Sequence, residues 1–285
     1  MIAGSYFVRV RTTDVAGNSF EQAFTITVTS NQAPVVTTPT TIALTDTSST
    51  DTFSNQTGTL SATDADADAI ASYGIQGGTS GGSDVIGAAT YDVSKLGTYG
   101  TLYVKSSDGS YVYVPNASPI NGRLTNTSET FTVTATDSNA SAATGTATLT
   151  VNITGVNDSP TDIGLTATSV SQSGGTNATV GTLSTTDADT GDTHTYTLVA
   201  GTGGTDNSSF TIAGNTISAN TVFDFETKSS YSVRLRTSDA GGLSFEKVFV
   251  ISVNNANETP TDITLSANSI NENNASGATI GTLGT

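Results

Sequence analysis

Apolar and polar residues alternate with period two along much of the chain. Tyr231, Val233 and Leu235 alternate with Ser232, Arg234 and Arg236, and Phe249, Ile251 and Val253 repeat the pattern. Phe131, Val133 and Ala135, then Ala147, Leu149, Val151 and Ile153, do the same. Successive side chains of a strand point to opposite faces, so each segment reads as a strand with one buried face. Turn formers fall between them: Asp239-Ala240-Gly241-Gly242, Asp108-Gly109 and Gly214-Asn215. No segment keeps a helical period. Short strands with spaced turns predict an all-β chain built of β-sandwiches.

The strands recur in register. Val8-Arg9-Val10-Arg11-Thr12-Thr13-Asp14, followed by Ser19-Phe20-Glu21, returns 225 positions later as Val233-Arg234-Leu235-Arg236-Thr237-Ser238-Asp239 and Ser244-Phe245-Glu246. Pro160-Thr161-Asp162-Ile163 through Leu183 returns 100 positions later as Pro260-Thr261-Asp262-Ile263 through Leu283. A weaker match sets Gly58–Asp66 against Gly181–Asp189. The chain thus divides into a module at 157–256, a longer one at 31–156, and end pieces at 1–30 and 257–285. The first end piece matches only the module's last two strands, and the second only its first two. The expectation is a window from a longer array. In both hairpins the Arg and Glu symmetric about the turn, Arg234 with Glu246 and Arg9 with Glu21, are expected to face each other across strands.

Composition narrows the chemistry. The 285 residues hold 9 Lys+Arg against 25 Asp+Glu, a formal net charge of −16, with no Cys, no Trp and one His. Without Cys there is no disulfide framework and no thiolate metal site. Such an acidic chain is unsuited to nucleic acid or an anionic membrane, because phosphate binding needs Lys and Arg. No apolar run approaches the roughly 18 residues of a membrane helix. The start runs into an alternating strand, Ser5–Arg11, without a signal-like apolar stretch. Thr (56) and Ser (35) make up the background of strand and turn residues.

The acids are clustered. They occur as Asp64-Ala65-Asp66-Ala67-Asp68, as Asp187-Ala188-Asp189 followed by Asp192, as Asp224-Phe225-Glu226, as single Asp14, Asp137 and Asp239 after strands, and as Asn157-Asp158 and Asn257-Glu258 between modules. An Asp-x-Asp loop places two carboxylates within reach of one ion, and Ca2+ takes six to eight oxygen ligands. Asp68, Asp162, Asp192 and Asp262 read as turn or capping residues, and His194 as a solvated strand residue.

These residues resemble a known family. Asp187-Ala188-Asp189, Asp224-Phe225-Glu226, Asp239 with its glycine turn, and Asn157-Asp158-Ser159-Pro160 are similar to the acidic motifs of cadherin repeats, with Phe225 in place of an Arg. The longer module resembles the VCBS repeat of bacterial surface proteins, through Asp108-Gly109-Ser110-Tyr111-Val112-Tyr113-Val114-Pro115, Phe131–Asp137 and Val151–Asp158. The resemblance implies tandem immunoglobulin-like or cadherin-like sandwiches in an elongated array, with Ca2+ at the junctions. Carried over, it assigns Asn157, Asp158, Asp187, Asp189 and Asp239 to one junction. The preceding module should add acids there, and Glu129 and Asp46 are the candidates. Asn31, Asp64, Asp66 and Asp137 fall to the junction before it. Asp224, Glu226, Asn255, Asn257 and Glu258 fall to the one after, and weaker or incomplete metal is expected at both. Gly155, Gln32 and Gln172 stand where the repeats carry acids or where the last piece has Glu272.

The implied function is a calcium-stiffened extender segment of a secreted or surface-anchored bacterial adhesin or matrix protein. Its partners would be adjacent repeats, with other copies of itself or surface glycans as further candidates. The alternatives are a subunit of an extracellular filament or surface layer, and a glycan-binding module using Tyr91, Tyr99, Tyr103, Tyr111 and Tyr113. Because Tyr111 and Tyr113 alternate with Val112 and Val114, one of those two sets should be core. An enzyme is not expected, since a nucleophile needs a positioned base and His194 is the lone His.

Overall fold

The computed structural model describes residues 4–284; the outermost residues of both end pieces, 1–3 and 285, lie outside it. The chain is all-β and forms two compact units. Among the described residues one comprises 4–159 together with 187–192, the other 160–186 and 193–284.

In the first unit a five-stranded sheet runs in the order Gln56–Thr59, Ser110–Pro115, Gly100–Val104, Ala89–Leu96, Thr79–Ile86. A four-stranded sheet runs Ile42–Thr45, Thr144–Thr154, Thr127–Asp137, Ile70–Ile75. Their inward residues form one core, in which Leu102, Val104 and Tyr113 of the first sheet join Phe131, Val133, Leu149 and Val151 of the second. The period-two expectation holds here: Phe131, Val133 and Ala135 are buried, with half-buried Thr132 and Thr134 between them. The one α-helix among the described residues, α1 (Ala117–Asn121), is a single turn anchored by fully buried Ile120. The hairpin Gly4–Thr13 and Ser19–Val28 pairs only with itself and keeps Tyr6, Val8, Val10 and Ile26 exposed.

The second unit repeats the plan with two four-stranded sheets. One runs Asp162–Leu165, Thr179–Thr186, Thr216–Ala219, Phe210–Ala213. The other runs Ser169–Ser171, Ser244–Asn254, Ser230–Ser238, Thr195–Leu198. Val233, Leu235, Ile251 and Val253 are buried between them with Ile163, Ile217 and Phe223.

In both units one pairing is parallel. Ile42–Thr45 lies beside Thr144–Thr154, and Ser169–Ser171 beside Ser244–Asn254. Parallel neighbours end at the same edge of the sheet. Each unit therefore brings the residue after its short strand, Asp46 or Gln172, to the linker that follows its last long strand.

The hairpin register differs from the expectation. Arg236 faces Glu246 and Arg11 faces Glu21, while Arg234 faces Val248 and Arg9 faces Ala23. The loops span five residues, with Asp239 accepting the Leu243 N–H at 2.8 Å and Asp14 accepting Asn18 N–H at 2.8 Å. That shifts the centre of symmetry by one residue. The expected pairs still meet diagonally: Arg234 Nε donates to Glu246 at 2.7 Å, and Arg236 Nε donates to its other oxygen at 2.8 Å. The two arginines, Arg236 first, hold Glu246 below the usual carboxylate range.

Candidate metal centre

The parallel pair of the first unit builds an acidic pocket at one end of its sheet. Asp46 N–H donates to Thr154 O at 3.1 Å, which continues the pairing past the strand ends. Val156 N–H donates to Asp46 Oδ2 at 3.4 Å. Two residues on, Asp158 N–H donates to Asp189 Oδ2 at 2.6 Å, and Asp189 N–H to Asp187 Oδ1 at 3.1 Å, so the Asp-x-Asp loop folds onto the linker. Ser159 N–H donates to Ser48 O at 3.2 Å, tying the linker to the loop after Asp46. That loop closes on itself through Thr47 N–H to Asp51 Oδ2, 2.6 Å.

Asp158 is 1% exposed, and neither of its carboxylate oxygens accepts a hydrogen bond. Asp46 is equally buried, and its Oδ1 has no partner. A buried charge without a partner is expensive, and such a group shifts its pKa instead. Burial pushes Asp158 up to about 7, with the charges of Asp46, Asp189, Asp187 and Asp51 adding to the effect. Burial also raises Asp46, against the Val156 hydrogen bond and with help from Asp51 and Asp189. The orphaned oxygens and the all-oxygen donor set suit a hard divalent cation, and a bound cation would reverse the local pKa logic.

Of the residues read from sequence, Asp158, Asp187 and Asp189 come together here. Asn157 is adjacent, its Nδ2 donating to Asp158 O at 3.0 Å. Of the two acids offered for the preceding module, Asp46 is at the pocket and Glu129 is not. Glu129 accepts Thr98 N–H at 2.8 Å and Tyr99 N–H at 3.2 Å, and accepts a hydrogen bond from the Tyr113 hydroxyl. Asp51 was missed; only its place on the loop after the short parallel strand could have pointed to it. Asp239 belongs to the second unit, where it caps its own hairpin loop. Gly155 has a steric cause: a Cβ there would lie 2.4 Å from Arg123 O and 2.6 Å from Thr125 O, so the backbone passes where an Asp cannot fit.

A second cluster lies elsewhere in the first unit. Carboxylate oxygens of Asp64, Asp66 and Asp68 lie within 4.8 Å of one another. Asp68, read as a turn residue, therefore joins the pair, and it accepts Asn139 Nδ2 at 3.0 Å. Gln32 N–H donates to Asp66 at 2.5 Å, and Asn31 Nδ2 to Asp137 at 2.9 Å. The four expected residues meet through these bonds, which already engage Asp66 and Asp137.

At the corresponding end of the second unit the chemistry is more neutral. Buried Gln172 occupies the position equivalent to Asp46. Its Oε1 accepts Phe225 N–H at 3.0 Å and its Nε2 donates to Glu258. Asn255 Nδ2 donates to Glu226 at 3.1 Å. Asp224 is taken up by Thr227, through N–H at 3.1 Å and Oγ1 at 2.7 Å. Asn257 is exposed. Phe225, in place of the repeats' Arg, packs against the core.

The aromatic residues offered for glycan binding are mostly interior. Tyr91, Tyr111 and Tyr113 are buried, which makes the Tyr111/Tyr113 set core and removes them from any sugar platform. Val112 is buried as well, on the other face of the strand. His194 is half-buried, one residue before the strand Thr195–Leu198.

The fold is that of tandem β-sandwich units, and the first of them carries an oxygen-lined acidic pocket. Among solved structures the chain is similar to extracellular cadherin domains. Protocadherin Gamma B7 domains 1–4 align at 18% identity and TM-score 0.45, covering 94% of this chain and 63% of that one. Protocadherin Gamma B2 domains 1–5 align at 16% and 0.43, covering 92% and 48%. The Protocadherin GammaB4 extracellular domain aligns at 19% and 0.43, covering 98% and 42%. The chain thus spans from under half to under two thirds of the length of these structures. No family model matches the chain, and no curated protein does either.

Proposed function

We propose that this chain is a calcium-stiffened structural segment of an extracellular adhesive or matrix protein, of the bacterial surface type that its repeats resemble. The observation that carries this reading is Asp158: a buried carboxylate with no hydrogen-bond partner, facing Asp46, Asp51, Asp187 and Asp189. A divalent cation would satisfy these oxygens and remove their mutual repulsion. It would also tie the linker 155–159 to the loop 187–192, from which the chain passes directly into the strands of the next module. The proposed modules are 31–156 and 157–256, with adjacent repeats of the same chain as partners. Asn157 would add an amide oxygen. Asn31, Asp64, Asp66, Asp68 and Asp137 form the next candidate group. Asp224, Glu226, Asn255, Asn257 and Glu258 form the weakest, because amides and Thr227 already engage three of its carboxylates.

The test is calorimetry of the chain titrated with Ca2+, with small-angle scattering in Ca2+ and in EDTA. Bound calcium should raise the melting temperature and narrow the spread of dimensions. At about 100 times Kd the stabilisation is about 2.7 kcal/mol. No heat, no change in melting and no change in dimensions would sink the reading.

A further inference from the structure

The cation pocket is assembled from two loops that approach from different parts of the chain, one at 46–51 and one at 187–192. Both rest on the same short segment, α1 and the Gly122 that follows it. Fully buried Ile120 fixes α1 to the core of the first unit. The next residue, Asn121, is 2% exposed and turns its amide to the first loop. Its Oδ1 accepts Asp51 N–H at 2.9 Å and its Nδ2 donates to Asp51 O at 3.0 Å. This two-way bond copies a strand pairing and sets the loop's position against the core. On the other side, Gly122 O accepts Thr190 N–H at 3.4 Å. The fit there is close: a Cβ on Gly122 would lie 2.9 Å from Thr190 Oγ1 and 3.2 Å from Ala188 O.

We propose that Asn121 is the positioning residue of this cation site, and that the Asn121-Gly122 turn sets the spacing between the Asp46/Asp51 loop and the Asp187/Asp189 loop. The inference rests on the metal reading above and deepens it. Asn121 acts through the backbone of Asp51. Four like charges do not hold an open pocket by themselves, because repulsion drives their loops apart. A rigid neutral clamp keeps their oxygens converged before the ion arrives. Groups that orient ligands in this way typically change metal affinity by about 10–100-fold when removed. They also set selectivity, since Mg2+ demands a smaller, near-octahedral shell than Ca2+.

The test is calorimetric titration of the full chain with Ca2+ alone and with Mg2+ alone, comparing wild type, Asn121→Ala and Gly122→Ala. Melting is followed in EDTA and in Ca2+. Gly122→Ala pushes on the second loop and leaves no buried polar group unpaired, so it serves where Asn121→Ala does not fold. The expected result is a Ca2+ Kd raised about tenfold or more in each variant that folds, with the Ca2+-over-Mg2+ preference reduced and a smaller calcium-induced melting shift. A merely structural role would lower melting equally with and without Ca2+ and leave the ion preference unchanged, which would overturn the proposal. Wild-type binding with unchanged affinity in Gly122→Ala overturns it while the metal site stands. A wild-type chain that binds no Ca2+ overturns the site and the clamp together.

Discussion

Replacing Asp158 with Asn should stabilise the calcium-free chain at alkaline pH while abolishing most of its response to calcium. The folded protein holds this carboxyl at about 7, against 3.8 for the ordinary group. That is about three units, each worth about 1.4 kcal/mol, so the ionised group costs the folded state on the order of 4 kcal/mol above pH 7. For an acid raised on folding, the penalty appears as pH climbs past the unfolded value and is complete above the folded one. The window therefore runs from about pH 4 to pH 7. Asn removes the charge but buries an amide, which returns about 1–3 kcal/mol of that gain. The net expectation at pH 8 in EDTA is about 1–3 kcal/mol in favour of the variant, or a first-unit melting temperature higher by several degrees. At pH 5 the wild-type Asp158 is protonated when folded. Its penalty is then smaller by about 3 kcal/mol, and the variant's advantage should vanish or reverse. In saturating Ca2+ the order inverts, since the wild type gains the binding energy and the variant lacks a central ligand. Differential scanning calorimetry at pH 5 and 8, in EDTA and in Ca2+, reads all four conditions. A variant that melts lower than wild type in EDTA at pH 8, or that keeps the full calcium shift, refutes the claim that Asp158 is an uncompensated charge awaiting a cation.

Three other substitutions follow from the same geometry. Gly155→Asp, which restores the acid of the repeat linker, should lower first-unit melting without strengthening calcium binding, because its Cβ meets the carbonyls of Arg123 and Thr125; a tighter Kd in titration would refute this. Tyr113→Phe removes the hydroxyl that Glu129 accepts, and should cost about 1.5–3 kcal/mol in denaturant melts while leaving the calcium titration unchanged. Glu246→Gln, half-buried between Arg234 and Arg236, should cost about 1.5–3 kcal/mol in the same assay, since it removes charge-assisted hydrogen bonds to both arginines.

What was legible in the sequence is what is local. Strand faces follow from alternation of neighbours, so the buried rows Phe131–Ala135, Leu149–Ile153 and Val233–Leu235 could be read directly. Paired acids two positions apart, such as Asp187 and Asp189, could be read the same way. The hairpin register was misplaced because symmetry about the turn ignores how Asp14 and Asp239 organise five-residue loops. Asp51 and Asn121 escaped for a different reason. Nothing near either residue in the chain points to metal, and their roles arise only when α1 meets the loop after Asp46.

The parallel pairing explains both what the site contains and why the two units differ. It carries position 46 to the linker at 158, and by the same construction carries 172 to the linker at 258. The scaffold thus places one side chain from the short strand against each linker. With Asp at that place the first unit gathers carboxylates around Asp158, whose own oxygens accept no hydrogen bond. With Gln the second unit gains a neutral bridge from Phe225 N–H to Glu258 and needs no ion to hold it. Gln172→Glu should therefore turn a weakly calcium-responsive linker into a strongly responsive one. Hydrogen exchange at 255–258 can read this. In wild type, protection should change little between EDTA and Ca2+. In the variant it should fall in EDTA and return with Ca2+. Exchange in the variant that ignores calcium would show that the side chain after the short parallel strand does not decide whether a linker depends on the ion.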